Sequence, residues 1–260
     1  MENKVPYIHD TQVHNLQAPK EIVPILIKMF SPKSVVDVGC GLGTFLRVFK
    51  ENGITNILGI DGPWVDKTLL FENISPVFFL ETNLNEELHL AKKFDMALCL
   101  EVAEHLHKDN ANNIVSTLTN LSDVIVFSAA IPSQGGQNHI NEQWPTYWLN
   151  LFSQHGYNEY DILRPIFWNH DDIFFWYKQN MFVLVKKGSS AETLVKKVSE
   201  SVPKTIYSIV HPDLYLTKVK ENDDAQNQII KYEEELKKII SGKRGLRFYI
   251  RLIKKHIFRR

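Results

Sequence analysis

The stretch VVDVGCGLGTF, residues 35–45, carries the strongest fold signal in the chain. It begins in the apolar run SVVDV (34–38), meets Gly39, Gly41 and Gly43, and continues into residues 44–52 with apolar side chains at helical spacing. This order predicts a buried strand, a tight turn and a helix. Because glycine lacks a side chain, the backbone of such a turn can approach a ligand closely. The pattern predicts a ligand-binding turn, and a turn that binds nothing is the alternative.

Further strands are predicted on the carboxyl side of this turn. A helix is predicted over 18–30 before the turn, and strands are predicted at NILGI (56–60), PVFFL (76–80), FDMALCL (94–100) and DVIVFSAA (123–130). Intervening helical segments include 110–120, and alternating strands and helices indicate a parallel sheet covered on both faces. After Gly156, YDILRPIFWN and IFFWYKQNMFVLVKK predict longer strands that finish the sheet as an antiparallel edge.

Composition narrows the class of protein. The 260 residues are 44% apolar and 23% charged, which is typical of a globular fold and excludes disorder over most of the chain. No apolar run approaches the roughly 18 residues of a membrane-spanning helix. The start MENKVPYIHD lacks the features of a signal peptide, and the two cysteines, Cys40 and Cys99, favour a reducing compartment. We therefore expect a cytoplasmic protein without a structural zinc site.

Charge is distributed unevenly although the formal net charge is zero. From Lys243 onward the chain has eight lysines and arginines and no acid, so residues 1–242 carry a net charge of −8. An acidic body predicts a poor nucleic-acid binder. The segment 243–260 has an apolar stripe beside its cations, which predicts weak peripheral contact with the inner face of the membrane. Docking on the acidic body and binding of a nucleic acid are the alternatives.

The C-terminal quarter is predicted to be a helical extension. Gly188-Ser189-Ser190 suggests a joint, which divides the chain into a domain over 1–188 and an extension over 189–260. Residues 222–240 have acids first and lysines last, as a helix dipole favours, and isoleucines and Leu236 form an apolar stripe. This helix would form a homodimer or fold back on the sheet.

Glycine spacing distinguishes between nucleotide-binding folds. A dinucleotide fingerprint G-x-G-x-x-G/A would need glycine or alanine at Thr44 or Leu46, so both registers fail. Asp61 ends the second predicted strand, 18 residues beyond Gly43, where a carboxylate can accept hydrogen bonds from ribose hydroxyls.

The G-x-G-x-G turn preceded by Asp37 resembles motif I of class I S-adenosylmethionine-dependent methyltransferases, and the resemblance extends over residues 14 to about 187. It implies a Rossmann-like α/β fold with a seven-stranded, mostly parallel sheet and S-adenosylmethionine as cofactor. Asn83 stands where the family usually has aspartate. No Asn-Pro-Pro-aromatic motif of nucleic-acid methyltransferases follows the fourth strand. The resemblance places the cofactor against Asp37, Gly39, Gly41, Gly43, Asp61, Asn83, Leu84, Leu100 and Glu101.

The stretch AAIPSQGGQNHINEQWPTYW (129–148) resembles a subgroup of methyltransferases encoded with bacterial capsule and O-antigen genes. The pair His14-Asn15 and the run WYKQN (176–180) resemble the same subgroup. The resemblance implies an acceptor site. We expect the acceptor to contact His14, Asn15, Trp144, Tyr177 and Asn180.

A hydroxyl acceptor gains from a general base, typically worth about 10²–10⁴-fold in rate. His139 is the first candidate because histidine titrates near neutrality, and His105 is the second. Glu142 would orient a histidine or bind acceptor hydroxyls. Each of these residues could instead be purely structural. A metal held by His139, His170, Asp171 and Asp172 has no support from ligand spacing, and we expect none.

These observations predict an O-methyltransferase that acts on a sugar, a nucleotide-linked sugar or a phosphorylated precursor of a capsule or surface polysaccharide. N-methylation of a small amine or phosphoramidate-like group is the alternative within enzymes. A non-catalytic scaffold that keeps the fold is the alternative outside them.

Overall fold

The computed structural model describes residues 7–201 and 212–241, together with the single positions 245, 248 and 250. The chain divides into two compact units, Met1–Tyr207 and Ser208–Arg260. The first contains the sheet and the predicted site residues, and the second contains one long helix.

Within the described residues, seven strands form one sheet. Their bounds are β1 (Ser34–Val38), β2 (Asn56–Asp61), β3 (Phe79–Glu81), β4 (Met96–Leu100), β5 (Val124–Ser128), β6 (Tyr157–Tyr160) and β7 (Phe182–Lys186). The spatial order is β3-β2-β1-β4-β5-β7-β6. The first five strands are parallel, and β7 pairs antiparallel with β5 and β6. The predicted Rossmann-like sheet with an antiparallel edge is therefore confirmed.

Helices cover both faces of this sheet. Their bounds are α1 (Gln17–Phe30), α2 (Thr44–Glu51), α3 (Lys67–Asn73), α4 (Ala111–Leu121), α5 (Pro145–Gln154), α6 (Arg164–Phe167), α7 (Phe175–Asn180) and α8 (Ser190–Ser201). Three-residue 3₁₀ turns occupy Pro76–Phe78, Ala103–His105 and Lys108–Asn110. The connections from β1 to β2, β2 to β3 and β4 to β5 cross over through helical structure, whereas residues 82–95 between β3 and β4 contain no helix.

Two apolar layers explain why the central strands contain almost no polar residue. Val35 packs with Ile22 and Phe49 of α1 and α2 on one face, whereas its neighbour Val36 packs with Leu118 and Phe152 of α4 and α5 on the other. Successive side chains of a strand point to opposite faces, so a strand covered on both sides is apolar at most positions, and Asp37 near the carboxyl end of β1 is an exception.

Of the two strands predicted after Gly156, the first is wrong and the second is right only in its second half. YDILRPIFWN contains α6 and only the last residue of β6, and IFFWYKQNMFVLVKK contains α7 followed by β7. Pro165 occupies the first turn of α6, where its missing N–H costs no hydrogen bond. In the second segment Phe174, whose extended backbone precedes α7, stacks on Trp176 with ring centroids 4.5 Å apart. Tertiary packing thus overrides the strand preference of aromatic residues.

The first compact unit extends past the predicted joint at Gly188. Val195 of α8 is fully buried against the core, and Glu192 accepts a hydrogen bond of 2.7 Å from Asn158 and one of 2.9 Å from the backbone N–H of Gly188. Helix α8 therefore belongs to the first compact unit, because its side chains complete the apolar layer beside β7.

The second unit contains α9 (Pro212–Ile240), which includes the predicted helix over 222–240. Ile229, Ile230 and Leu236 of its apolar stripe are each more than half exposed. The predicted amphipathic segment 243–260 lies outside the described residues except at positions 245, 248 and 250. None of the helices in the described part of the chain is long and apolar enough to cross a membrane.

Candidate active site

A cavity of about 930 Å³ opens at the carboxyl ends of β1, β2 and β4. Its walls come from the glycine turn, from residues that follow the three strands, from residues 7–15, from the loop 134–140 and from residues 174–177. Parallel sheets bind ligands at this edge, where the strand order reverses beside β1. The cavity therefore lies where the fold would place a cofactor.

The glycine turn needs glycine for geometric reasons. Gly39, Gly41 and Gly43 have φ angles of +80°, +50° and +72°, which side chains rarely adopt. A Cβ atom on Gly39 would also lie 2.3 Å from a methyl carbon of Val102. The backbone N–H of Gly39 donates to the carbonyl of Ile60 at 2.7 Å, which ties the turn to the end of β2.

Asp61 lies directly beside this turn. Its Oδ2 accepts the N–H of Gly41 at 2.8 Å, and its Oδ1 accepts the N–H of Gly62 at 2.6 Å. The side chain lines the cavity although only 4% of the residue is exposed. Burial raises the pKa of Asp61 to about 6, and these backbone hydrogen bonds oppose the rise. Its carboxylate is thus fixed next to the turn and ionised at neutral pH.

Asp37 is the second acid at this end of the cavity. It is 4% exposed, and burial together with the nearby Asp61 raises its pKa to about 8. Two neighbouring carboxyl groups with different pKa values leave one able to donate a hydrogen bond and the other able to accept one at pH 7.

Leu84 and Leu100 are buried in the cavity wall, as expected, but Asn83 is not in that wall. The carboxamide of Asn83 donates to Glu86 at 2.8 Å and accepts the N–H of Asn85 at 3.1 Å, so it closes an exposed local turn. Asn85 lines the cavity instead. Asn83 thus forms local hydrogen bonds with Glu86 and Asn85, and its contact with the cofactor stays a prediction.

Glu101 follows β4 in a strained backbone conformation, with φ of +56°. Its carboxylate accepts hydrogen bonds from Gln134 at 2.9 Å and from Asn180 at 3.2 Å. Burial raises the pKa of Glu101, and these hydrogen bonds oppose the rise. Asn180, expected to contact the acceptor, is 2% exposed and outside the cavity wall, so it supports Glu101 from behind.

A cluster of histidines lines the cavity, and two of them, His9 and His14, lie next to Gly41 of the glycine turn. The rings of His105 and His139 have centroids 4.8 Å apart, and Tyr7 contacts His9, His14 and His105 edge to face. Burial lowers the pKa of His105 to about 4. At neutral pH His105 is thus uncharged and a weak base, which argues against it as the proton acceptor.

Glu142 fixes both His139 and the loop that carries it. Its Oε1 lies 2.9 Å from Nδ1 of His139, and its carboxylate also accepts the N–H groups of Ser133 at 2.6 Å and Gly135 at 2.9 Å. A hydrogen bond at Nδ1 fixes the ring orientation and leaves Nε2 for other partners. The geometry agrees with the predicted orienting role of Glu142.

The other expected acceptor contacts divide into two groups. His14, Asn15 and Tyr177 line the cavity, and Trp144 is not in its wall. Asn15 is engaged locally, since its side chain accepts the N–H of Gln17 at 2.8 Å at the start of α1. Sequence reasoning missed several lining residues that have no recognisable motif, namely Tyr7, His9, Trp64, Asn85, Glu104, Phe174 and Phe175.

The four residues considered as a metal set do not meet. His170 pairs with Glu21 at 3.2 Å, and Asp172 accepts a hydrogen bond from Gln17 at 3.3 Å, both on the α1 side of the sheet. His139 lies in the cavity wall with Glu142 instead.

The residues present fit S-adenosylmethionine. The side-chain-free turn lets a nucleoside approach, Asp61 can accept hydrogen bonds from ribose hydroxyls, and the cavity continues from there toward Glu101. The remaining polar groups around His139 lie beyond this cofactor region.

Three solved structures with the same fold are methyltransferases. The sugar N-methyltransferase KedS8 from Streptoalloteichus sp ATCC 53650 is 12% identical, with a TM-score of 0.55 over 72% of this chain and 95% of that chain. CalS10, an amino pentose methyltransferase from Micromonospora echinaspora, is 12% identical, with a TM-score of 0.53 over 72% and 100%. Magnesium protoporphyrin IX methyltransferase from Synechocystis PCC 6803 is 16% identical, with a TM-score of 0.50 over 70% and 89%.

A search of curated proteins gives no match. The family described as "Methyltransferase domain" matches residues 8–163, which is more than half of the chain and includes the glycine turn, Asp61, Glu101 and His139. The chain therefore belongs to the methyltransferase domain family and is an enzyme whose expected cofactor is S-adenosylmethionine.

Proposed function

We propose that this enzyme methylates a hydroxyl group of a small, sugar-like acceptor. The observation that carries the proposal is the His139–Glu142 pair, held at 2.9 Å in the wall of the cavity that also contains the glycine turn and Asp61. S-adenosylmethionine supplies an activated methyl group, and the protein must orient the acceptor and take up its proton.

We assign to His139 the removal of the proton from the acceptor hydroxyl. Its ring is fixed through Nδ1 by Glu142, so Nε2 can accept a proton from a hydroxyl as long as that nitrogen has no other ligand. Burial lowers the pKa of His105 to about 4, so His105 is a weak base at neutral pH. The Glu142 carboxylate would stabilise the imidazolium that forms.

The charge of the cavity wall favours a neutral acceptor. The described lining includes Asp10, Asp37, Asp61, Glu101 and Glu104 but neither lysine nor arginine. Such a wall offers no permanent cation to a phosphate, which weakens the expectation of a phosphorylated or nucleotide-linked acceptor. Trp64 and Phe175, which are 40% and 56% exposed, offer apolar surfaces to a sugar ring.

N-methylation of an amino sugar is the second candidate. The carboxyl groups of the wall would attract an ammonium group, and an amine needs less help from a base than a hydroxyl does. The names of KedS8 and CalS10 describe sugar N- and amino pentose methylation, although their likeness to this chain concerns the fold.

A panel of acceptors tests the proposal. Purified enzyme would be incubated with methyl-labelled S-adenosylmethionine and matched pairs of neutral, amino and phosphorylated sugars, and the products would be identified by mass spectrometry. Methylation of neutral hydroxyls would support the first candidate. Methylation only of amines would replace it with the second, and tight cofactor binding without turnover on any acceptor would favour a scaffold.

Three finer expectations stay predictions. These are a capsule or surface-polysaccharide precursor as acceptor, a cytoplasmic location with weak membrane contact through residues 243–260, and a homodimer through the C-terminal helices. Co-sedimentation with anionic vesicles at low salt, with full-length protein against a chain ending at Ser241, tests the membrane contact.

A further inference from the structure

Three potential metal ligands meet in the wall of the cavity. Glu104 and His105 lie in the 3₁₀ turn that follows β4, and His139 approaches them from the loop after β5. One ligand atom from each lies within 4.8 Å of the others. The backbone N–H groups of Ile140 and Asn141 both donate to the carbonyl of Glu104 at 2.9 Å, so the loop is fixed to the turn beside these side chains.

The carboxyl group of Glu104 lacks the partners that a buried charge requires. The residue is 0% exposed, and neither carboxyl oxygen has a partner in hydrogen-bonding geometry among the described residues. Nδ1 of His105 is also buried and unpartnered. Buried polar atoms are nearly always hydrogen-bonded, so unpartnered atoms on two adjacent ligand residues indicate a missing ligand between them.

We propose that Glu104, His105 and His139 bind a divalent first-row transition-metal ion. One carboxylate and two imidazoles form a donor set suited to ions from Mn²⁺ to Zn²⁺. Glu142 holds Nδ1 of His139 at 2.9 Å, which is how a second carboxylate commonly orients a ligating histidine. This ion binding does not depend on which acceptor the enzyme methylates.

A bound cation would also balance the charge of the wall. Glu101 is beside Glu104 and is held by Gln134 and Asn180, and no lysine or arginine of the described lining faces either carboxyl group. Three protein ligands leave coordination positions open, and an acceptor oxygen could occupy one of them. With the ion in place, His139 would be a ligand, and the ion would polarise the acceptor hydroxyl in place of the free base.

Metal titration of the full chain tests the site without any acceptor. Protein freed of metal by a chelator would be titrated with Mn²⁺ by calorimetry and with Co²⁺ by visible absorption, which reports nitrogen and oxygen ligands. We expect one ion per chain for wild type, loss of that binding in Glu104→Gln and His139→Asn, and affinity lowered by roughly 10–100-fold in Glu142→Gln. His170→Asn, a histidine outside the cavity wall, is the matched control and should bind as wild type does.

Two results would overturn the proposal. One is absence of Mn²⁺ and Co²⁺ binding to wild type at millimolar concentration, and the other is equal binding by wild type, His139→Asn and His170→Asn. Circular dichroism would establish that each variant is folded, and His139→Asn decides the matter if Glu104→Gln does not fold. Because no methyl transfer is measured, failure here leaves the proposed acceptor chemistry to its own test.

Discussion

The two ends of the cavity are built in different ways. The cofactor end consists of backbone N–H groups, glycines and Asp61, all within residues 37–62, and β1 and β2 bring them together as paired neighbours. The acceptor end combines residues 101–107, 134–140 and 174–177, which are far apart in the chain, and residues 7–15 lie between the two ends, with His9 and His14 beside Gly41. The first end follows from local geometry, whereas the second exists only after several loops have packed on one another.

The largest expected effect is a decrease in the rate of methyl transfer, caused by a change at the acceptor end that leaves cofactor binding intact. His139→Ala should lower kcat by roughly 10²–10⁴-fold because it removes the group that handles the acceptor hydroxyl. Steady-state kinetics at saturating cofactor would measure it, with His170→Ala as the control. Cofactor affinity by calorimetry should stay near the wild-type value. A change in kcat of less than about fivefold would make His139 structural and direct attention to His105.

Gly39→Ala tests whether the glycine turn at the cofactor end tolerates a side chain. The added Cβ would lie 2.3 Å from Val102 in a left-handed backbone, so we expect a loss of about 2–4 kcal/mol in the free energy of unfolding. Gly53→Ala is matched in backbone conformation, with φ of +89°, but meets no atom within 4 Å, and should lose only about 1–2 kcal/mol. Urea unfolding would compare the two, and equal losses would mean that Val102 moves aside freely.

Asp61→Ala should affect binding rather than chemistry. It removes a carboxylate that fixes the glycine turn and can accept ribose hydroxyls, which we expect to cost about 2–3 kcal/mol in cofactor affinity. Calorimetry would measure the change, and Asp66→Ala, which removes the exposed cap of α3, is the nearby control. Unchanged affinity in Asp61→Ala would contradict the assignment of this end of the cavity.

The smallest expected effect is on pH dependence. Because the pKa of Asp61 is raised to about 6, the carboxylate is ionised above that pH and accepts hydrogen bonds best there. Cofactor affinity should therefore fall as pH decreases through 6, by about twofold at the pKa itself, where half of the group is protonated. Asp61→Asn should bind with little dependence on pH over this range. Calorimetry at pH 5.5 and 7.5 would detect the difference.

Much of the cofactor end could be predicted because its signals are local. Glycines with φ of +80°, +50° and +72° are required by the turn itself, and the acid at the end of β2 follows from strand periodicity. Asn83 is the exception at this end. Its carboxamide forms hydrogen bonds with Glu86 and Asn85. A single sequence does not show whether such a side chain bonds within a local turn or faces the cavity.

The acceptor end was predicted by residue type but not by arrangement. His139 and Glu142 lie 2.9 Å apart, whereas Asn180 supports Glu101 and the strand predicted over the second aromatic run contains α7. Glu104 carried no signal, because its burial without partners depends on the loop 134–140 closing over the turn after β4.

The sequence by itself determined the sheet, the glycine turn and the cofactor class, because strand periodicity, glycine conformation and strand-end acids act over a few residues each. Only the tertiary structure decided which side chains share the acceptor end. That outcome depends on contacts between residues far apart in the chain, such as His105 with His139, 34 positions away, and Tyr7 with His105, 98 positions away. Burial then set the charge of each group, raising the pKa of Asp37 and lowering that of His105.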